Sequence, residues 1–478
     1  MMDKKIRIIS LFFIVFSLSF CPSGPMETVA FPLSVEDENV MAEKFLRDVR
    51  KYFSFEDDDF VNNYINELGR YLIKPLETKP FPFRFYIIRD NSLNAFAGPG
   101  GHIFIYSGLI EVVDELDELA SVICHEIGHV SARHLARRVE QGKKIGYATM
   151  AGLLAGILIG GKATGAIVAG SLAAGTQAQL HYSRGDERQA DQLSFDYMIE
   201  AGFDPSGMIK VQQKLVKGQW YDLDRVPPYL LTHPGGPERI ADVDVLLADY
   251  SPPKETKAPT IKFRSSFPFI KTILRAKVMD PPQAEKLFNK DLEKDSESVS
   301  AHFGLGILGK ERFEYAKAIN HFEKALEGQP ESPLISRYLG EVYQLKGDDR
   351  KAAEIFKGVL KSDERDKSAL FLLAASYQNL EKYRKAILIY ERLTSTRPVK
   401  KEVYYNLGVS YGRRDRLARA HFNFGLYFKI MNKRDKALFH FRKANGLSKN
   451  DSALKGRINE AMKDLTSGTR HQAQGTGK

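Results

Sequence analysis

Two histidines four residues apart, His125 and His129, enclose a glutamate, Glu126, next to the first of them. On a helix both imidazoles project from one face and can bind a single metal ion, while Glu126 lies beside it near bound water. Zinc held by two imidazoles and a carboxylate keeps a position for water, lowers its pKa toward ~7 and polarises a peptide carbonyl. Glu126 would then accept the water proton and deliver it to the leaving amine. The spacing predicts a metallopeptidase with one Zn²⁺ per chain.

The third zinc ligand is expected in a second acidic segment downstream. Glu187 and Asp191 are also four residues apart and share a helix face, so one carboxylate can bind zinc while the other holds an imidazole N–H. We expect Glu187 to be the ligand and Asp191 to support a ligand histidine. Asp186 is the rival for the ligand position, although its direction on the helix favours a role at the helix N-terminus.

These side chains need a helix, and the sequence predicts one from Asp114, a suitable N-cap, to about Arg138. On such a continuous helix His134 lies off the face that carries the two ligand histidines. Residues 83–88 and 102–106 are rich in β-branched and aromatic residues and predict two strands joined by a loop. Alternate residues of the second strand should face opposite sides of the sheet.

Four stretches together resemble a known peptidase family: residues 94–109, the motif helix around His125, residues 183–191, and residues 232–241. The resemblance is to the gluzincin family that includes the CAAX prenyl endopeptidase and the HtpX-type heat-shock peptidase. It is closest to the exported members of the BepA type, which carry a C-terminal repeat domain. The four stretches span most of residues 80–245.

The resemblance implies the same three zinc ligands and the same general base, and it adds three expectations. It places His233 near the metal, where its imidazole would fill the fourth position and keep the enzyme latent; by itself, a lone histidine before proline is a loop residue. Arg239 either stabilises the oxyanion of the reaction or forms a salt bridge, and both roles stay open. The strand before the motif helix would be an edge strand that pairs with the substrate backbone, comprising Gly101, His102, Ile103, Phe104 and Ile105.

Beyond about residue 260 the sequence repeats with a period of 34 residues. Each period holds a small residue, an alanine twelve residues later and an aromatic residue four residues after that. The small residues let two helices approach closely, and the aromatic residue fills the gap to the next pair, as in the tetratricopeptide repeat. A match at half a period predicts that the array shares or skips a helix near residues 418–430. The periodic positions are Gly306, Ala318, Phe322; Gly340, Ala352, Phe356; Ala374, Ala386, Tyr390; and Gly408, Ala420, Phe424.

The N-terminus has the pattern of an export signal, because basic residues precede an uncharged apolar run at residues 8–20 that is short for a membrane span. Cys21 stands where a lipoprotein cysteine would, but Phe20 occupies the place of a small residue. We expect an exported, periplasmic protein, with a lipid anchor at Cys21 as an alternative. Two uncharged Gly- and Ala-rich stretches, residues 145–161 and 163–180, either form tightly packed helices that shield the active site or form a hairpin that dips into or lies on the membrane as a peripheral contact.

With 478 residues the chain can bury at least two cores. We predict an α+β fold: a zincin-type metallopeptidase domain, mostly helical with a small sheet, followed by an all-α tetratricopeptide repeat solenoid. The expected units are a signal segment at 1–30, the peptidase domain at 31–250, a linker at 251–262, the repeats at 263–466 and a disordered tail at 467–478.

Charge is spread unevenly along the chain. Residues 251–478 carry 45 Lys and Arg against 27 Asp and Glu, a net +18, so the remainder is −8 within the total of +10. A basic half favours anionic partners. No nucleic-acid-binding motif accompanies it, so we do not expect the protein to bind nucleic acid. The expected partners are polypeptide substrates and, through the repeats, envelope protein-assembly machinery. The predicted function is an envelope endopeptidase in quality control or assembly of outer-membrane proteins; the alternative is a chaperone or scaffold that acts through the repeats, with a latent peptidase domain.

Overall fold

The computed structural model describes residues 34–141, 182–221, 227–234, 236–252, 257–396, 398–448 and 451–473. The predicted signal segment with Cys21, and the Gly- and Ala-rich stretches within residues 145–180, lie outside these ranges. Within them, no helix has both the length and the apolar character that crossing a membrane requires.

The first half of the described chain is mostly helical and surrounds a small sheet, as predicted. Two helices precede the sheet and seven follow it. The elements are α1 (Val35–Tyr52), α2 (Asp59–Leu72), β1 (Arg84–Ile88), β2 (Ala95–Gly98), β3 (His102–Tyr106), α3 (Ser107–Val112), α4 (Leu116–Ser131), α5 (His134–Gln141), α6 (Arg184–Ala201), α7 (Gly207–Tyr221), α8 (Pro228–Thr232) and α9 (Gly236–Ala248).

The sheet has the strand order β1-β3-β2, so β3 is the central strand. It runs parallel to β1 and antiparallel to β2. The two strands predicted from composition are confirmed, but part of the predicted loop between them forms β2, because Gly100 and Gly101 adopt positive φ and reverse the chain tightly. The prediction that Gly101, His102, Ile103, Phe104 and Ile105 form a substrate-binding edge is therefore wrong: the backbone of β3 pairs with a strand on each side.

The two faces of β3 pack into different cores, which confirms the predicted alternation. Ile103 and Ile105 join the large core that includes the motif helix α4. Phe104 and Tyr106 join a smaller cluster that also contains Phe45 of α1. Because both faces are covered, the sheet is a firm support for the helix that follows it.

The motif helix α4 is shorter than predicted. It begins at Leu116. The Glu118 carboxylate caps this end by accepting hydrogen bonds from the backbone N–H groups of Asp114 and Glu115, both at 3.2 Å. It ends at Ser131, because Arg133 adopts a left-handed conformation with φ of 52°. A new helix, α5, then starts in a different direction and changes which side chains reach the histidine motif.

The second half of the described chain is an array of antiparallel helices. Its first helix begins within the stretch predicted as a linker, and its last one extends to Ala473, into the stretch predicted as a tail. The helices are α10 (Ala258–Val278), α11 (Pro281–Lys294), α12 (Val299–Glu311), α13 (Tyr315–Gly328), α14 (Pro333–Leu345), α15 (Asp349–Ser362), α16 (Lys367–Asn379), α17 (Tyr383–Thr394), α18 (Lys401–Gly412), α19 (Leu417–Ile430), α20 (Arg434–Leu447) and α21 (Ser452–Ala473).

The repeat signature packs within each helix pair. A Cβ atom on Gly340 would lie 2.7 Å from the ring of Phe356, and one on Gly306 would lie 2.6 Å from the ring of Phe322. The small residue therefore makes room for the aromatic residue of its own pair. Helix α19 belongs to two pairs at once: a Cβ atom on Gly408 of α18 would meet the ring of Phe424 of α19, and one on Gly425 of α19 would meet the ring of Phe441 of α20. This confirms that the array shares a helix there.

The array also packs against the first half of the chain through an acidic segment at residues 56–59. The Tyr338 hydroxyl and the Lys400 ammonium group contact carboxylates of this segment from the array. Lys277 of α10 pairs with the same segment at 2.9 Å. These contacts attach the repeats to residues 56–59, a segment that lies well before the histidine motif in the sequence.

Candidate metal centre

Four potential metal donors converge at one buried point. His125 and His129 come from α4, Glu187 from α6 and His233 from the residue after α8, and their donor atoms all lie within 4.8 Å of one another. The Nε2 atoms of His125 and His129 are 2.9 Å apart. The Glu187 carboxylate lies 3.4 Å from each of these nitrogens.

Three of the separations between the donors match those around a zinc ion, and two, at 2.9 and 3.0 Å, are shorter. Donors of a tetrahedral zinc with bonds of about 2.0 to 2.2 Å lie roughly 3.3 to 3.6 Å apart. Two imidazole nitrogens as close as those of His125 and His129 need a shared cation or proton between them. The Nδ1 atom of His233 lies 3.0 Å from Glu187 and 3.3 Å from His125, at the place of a fourth donor. Three protein ligands and His233 at the remaining position therefore match the predicted site, and their roles as ligands stay a prediction.

Glu126 is a buried carboxylate beside the four donors. Its Oε1 atom lies 3.4 Å from Nε2 of His233, and neither oxygen has a hydrogen-bond partner in good geometry among the described residues. Burial raises its pKa, while the charges of His233 and His125 oppose the shift. The backbone of Ala97 in β2 is also close to this carboxylate. A buried acid with uncommitted oxygens at this place can accept and return a proton.

Asp191 and Arg239 form an ion pair behind the donors. Asp191 accepts a hydrogen bond from Nδ1 of His125 at 2.9 Å, which leaves the Nε2 lone pair of that ring pointing at the metal position. Asp191 also raises the pKa of His125 to about 9, against the opposing effects of burial and Arg239.

The guanidinium of Arg239 lies against Asp191 at 2.6 and 2.8 Å and approaches Glu187 to 2.8 Å. Burial would raise the pKa of Glu187, but the charges of His233 and Arg239 hold it well below its usual value. Of the two roles left open for Arg239, this geometry favours the salt bridge, because the guanidinium is engaged by two carboxylates.

Sequence reasoning missed His134, which supports the second ligand histidine. Its Nδ1 atom lies 2.8 Å from Nδ1 of His129, and its Nε2 atom lies 3.0 Å from the Gln189 side-chain oxygen. The His129 N–H can then donate to His134, whose other nitrogen donates to Gln189. The break at Arg133 brings His134 back toward α4, whereas a continuous helix would have turned it away.

Two tyrosines, Tyr182 and Tyr229, were also missed, and they hold His233 between their rings. The Tyr229 ring lies 4.5 Å and the Tyr182 ring 5.0 Å from the His233 ring, with interplanar angles of 24° and 26°. The backbone N–H of His233 donates to the Tyr229 carbonyl at 2.9 Å. We call Tyr182 and Tyr229 the tyrosine bracket. Their spacing in the sequence carries no signal for this arrangement.

Comparison with known families agrees with this centre. Residues 60–246 match the model of peptidase family M48, and this range contains the four donors, Glu126 and both tyrosines. The matched stretch is a peptidase family M48 domain. The gluzincin resemblance inferred from the sequence is thereby confirmed, and every side chain described above belongs to the M48 domain.

Several curated proteins resemble the chain in part. A beta-barrel assembly-enhancing protease of Yersinia pestis is 35% identical over 213 residues, which are 44% of each protein. The protein of the same name from Escherichia coli K12 is 34% identical over 213 residues, which are also 44% of each protein. Metalloprotease LoiP of Escherichia coli K12 is 30% identical over 36% of this chain and 65% of its own. The chain thus aligns with less than half the length of the two assembly-enhancing proteases.

The array has its own similarities. Residues 311–393 match the model of anaphase-promoting complex, cyclosome, subunit 3. The crystal structure of YrrB, a TPR protein with an unusual peptide-binding site, is 22% identical and covers 43% of this chain and 98% of its own, with a TM-score of 0.29. The assignment of repeats rests on the helix pairs and on the period of 34 residues.

Proposed function

We propose that this protein is a zinc-dependent endopeptidase of the cell envelope that hydrolyses peptide bonds in polypeptide substrates. The observation that carries the proposal is the convergence of His125, His129 and Glu187 around one buried point, with Glu126 beside them. Partial similarity to beta-barrel assembly-enhancing proteases supports a periplasmic role in the quality control or assembly of outer-membrane proteins.

His125, His129 and Glu187 would hold a zinc ion, which would supply an acidified water and polarise the scissile carbonyl. Glu126 accepts the water proton on a carboxylate oxygen and afterwards donates it to the leaving nitrogen. A raised pKa suits Glu126 to both tasks, because the carboxyl group has to hold the proton between the two transfers.

The surrounding residues orient the donors. Asp191 and His134 each engage the Nδ1 side of a ligand imidazole, so that both Nε2 atoms face inward. Arg239 balances the negative charge of Glu187 and Asp191 in a region closed to solvent. These contacts keep the donor set together before any substrate arrives.

The substrate strand is better placed along β2 than along β3. Among the described residues, the backbone of β2 pairs only with β3, which leaves its other side for an extended peptide. Ala97 of β2 lies close to the Glu126 carboxylate. A peptide paired with β2 would thus bring a carbonyl toward the general base, with little demand on its sequence.

His233 supports a latent resting state, because its Nδ1 atom stands where water or substrate would bind. This observation also favours the second candidate function, in which the protein is a chaperone or scaffold that acts through the repeats while the peptidase domain is seldom active. In either case we propose that the repeats recruit the machinery of envelope protein assembly.

The experiment combines zinc analysis of the purified full-length chain with cleavage of an unfolded polypeptide such as casein. Glu126→Gln should retain zinc and lose about 10²- to 10⁴-fold in cleavage rate, the usual range for a general base. Glu187→Gln should lose zinc. Glu200→Gln, an exposed change on the same helix, should alter neither property.

Full cleavage by Glu126→Gln would contradict the peptidase mechanism. A cellular test then separates the two candidate functions: envelope protein maturation restored fully by Glu126→Gln favours the scaffold, and maturation lost with this variant favours the peptidase.

A further inference from the structure

In four successive pairs of the array, the two helices of the pair are joined by equivalent turns. Each turn contains one residue at positive φ: Phe313 at 62°, Gly347 at 90°, Glu381 at 59° and Asp415 at 56°. These residues are 34 positions apart, like the repeat itself. Successive helices pack side by side in alternating directions, so all four turns lie along one edge of the array. We call it the hairpin edge.

Unpaired cations concentrate at two of these turns. Lys382, Arg384, Lys385, Arg413 and Arg414 line a shallow cleft of about 550 Å³ between the turns that follow α16 and α18. Glu381 and Tyr383 complete the lining. Within the part of the chain that the structure describes, Lys382, Arg384, Arg413 and Arg414 form no ion pair. The cleft therefore presents positive charge that carboxylates of the fold do not neutralise.

Large apolar side chains are exposed along the same edge. Phe313 is 77% exposed, Leu345 51% and Leu417 44%. Phe313 lies in one turn, Leu345 ends the helix before the next, and Leu417 begins the helix after the last. Leu417 also lines a cleft of about 740 Å³ with Leu447 and Leu454. Exposed apolar side chains beside exposed cations suit the interface of a membrane, where the apolar groups enter between headgroups and the cations meet phosphates.

The opposite edge of the array has a different character. The turns on this edge carry exposed Glu331, Asp363 and Glu364 together with exposed Arg365, Lys400 and Lys433, so charges of both signs are mixed there, and Lys400 is paired with Asp59. The positive charge of the repeats is thus not spread evenly over the surface. A planar anionic surface would orient the array with the hairpin edge toward it.

We propose that the hairpin edge binds a membrane surface containing anionic phospholipids. Phosphate groups would occupy the cleft lined by Arg384, Arg413 and Arg414, while Phe313 and Leu417 enter the interface. This surface is separate from the metal centre, and the proposal holds whether or not the peptidase function does.

The test is flotation of the full-length chain with vesicles of phosphatidylglycerol and phosphatidylcholine, compared with vesicles of phosphatidylcholine alone. Binding should require phosphatidylglycerol and weaken as salt rises. The triple variant Arg384→Gln/Arg413→Gln/Arg414→Gln should lower partitioning about 100-fold, since each surface cation contributes about fivefold. Phe313→Ser should lower it less.

A matched control is Lys290→Gln/Lys324→Gln/Lys361→Gln, which removes the same charge from exposed positions on helices α11, α13 and α15. It should keep most of the binding, and both triple variants should keep the zinc content and the circular dichroism of the parent chain. Equal loss in the two triple variants, equal binding to neutral vesicles, or preference for polyglutamate over the anionic vesicles would overturn the proposal.

Discussion

The M48 domain and the repeat array are held together in different ways. In the M48 domain, charged and polar groups from α4, α6 and the segment after α8 meet with almost no solvent; His233, Glu126 and Glu187 are all 0% exposed. In the array the contacts are apolar and local, such as Gly340 against Phe356 within one pair. The stability of the first region depends on every member of a buried polar network. The stability of the second is approximately the sum of similar contributions from each repeat and its interfaces.

This difference predicts how the two regions respond to substitution. Removing one member of a buried charge network leaves its partners buried without a counter-charge. The free energy of unfolding lost in this way is much larger than the net stabilisation that the ion pair provides. Removing one contact of a repeat changes only its own pair and the neighbouring interfaces. The four predictions below start with the largest expected effect.

Arg239→Gln should lower the free energy of unfolding of the zinc-free protein by about 3 to 5 kcal/mol, because Glu187 and Asp191 remain buried without their cation. Urea unfolding followed by fluorescence of the single tryptophan, Trp220, measures it within the M48 domain. The control is Arg184→Gln, whose partner Glu238 is well exposed and which should lose less than about 1 kcal/mol. Similar losses in both variants would contradict the contrast between the two regions.

Zinc should stabilise the M48 domain selectively. Free zinc at about 100 times its dissociation constant adds about 2.7 kcal/mol to the free energy of unfolding, because only the folded centre brings the donors together. Chelation should therefore lower the thermal midpoint reported by Trp220. A midpoint that does not respond to chelator or to added zinc would be evidence against a metal centre.

Two glycine substitutions sharpen the picture of the array. Gly340→Ala should destabilise the protein by about 1 to 3 kcal/mol, because the added methyl group meets the Phe356 ring. Gly358→Ala, in a helix position with nothing within 4 Å of the new atom, should stabilise it by about 0.5 to 1 kcal/mol. Thermal unfolding by circular dichroism compares them. The same sign for both changes would show that pair packing does not govern the array.

His233→Ala should raise peptidase activity about tenfold, because the fourth position is then free in a larger fraction of the molecules. Tyr182→Leu, which removes one side of the tyrosine bracket, should give a smaller increase in the same direction. His302→Ala, a buried histidine of the array, serves as the control and should leave activity unchanged. The latch hypothesis fails if His233→Ala cleaves casein no faster than the parent chain.

Sequence reasoning succeeded wherever the relevant geometry is local. The spacing of His125 and His129 places both on one helix face, and the same rule pairs Glu187 with Asp191. The period of 34 residues predicted the array and its shared helix, because each repeat packs mainly on its neighbours.

The sequence-based predictions were wrong where the structure depends on contacts between segments that are far apart in the chain. The order of the three strands was not visible in residues 84–106, so the edge was assigned to β3, whereas the edge strands of this sheet are β1 and β2. His134 was misplaced because the left-handed residue Arg133 has no local sequence signal, being neither glycine nor asparagine. The tyrosine bracket joins residues 47 positions apart, and such pairs emerge only from packing.

By itself, the sequence determined the donor types, their spacing on two helices and the register of the repeats, since backbone hydrogen bonds within about one turn set those relations. The tertiary structure alone decided the strand order, the tyrosine bracket around His233 and the docking of the repeats on residues 56–59. Those features depend on which buried surfaces pack together and which buried charges pair in the folded chain. Contacts between segments about a hundred residues apart produce no periodic pattern in the sequence.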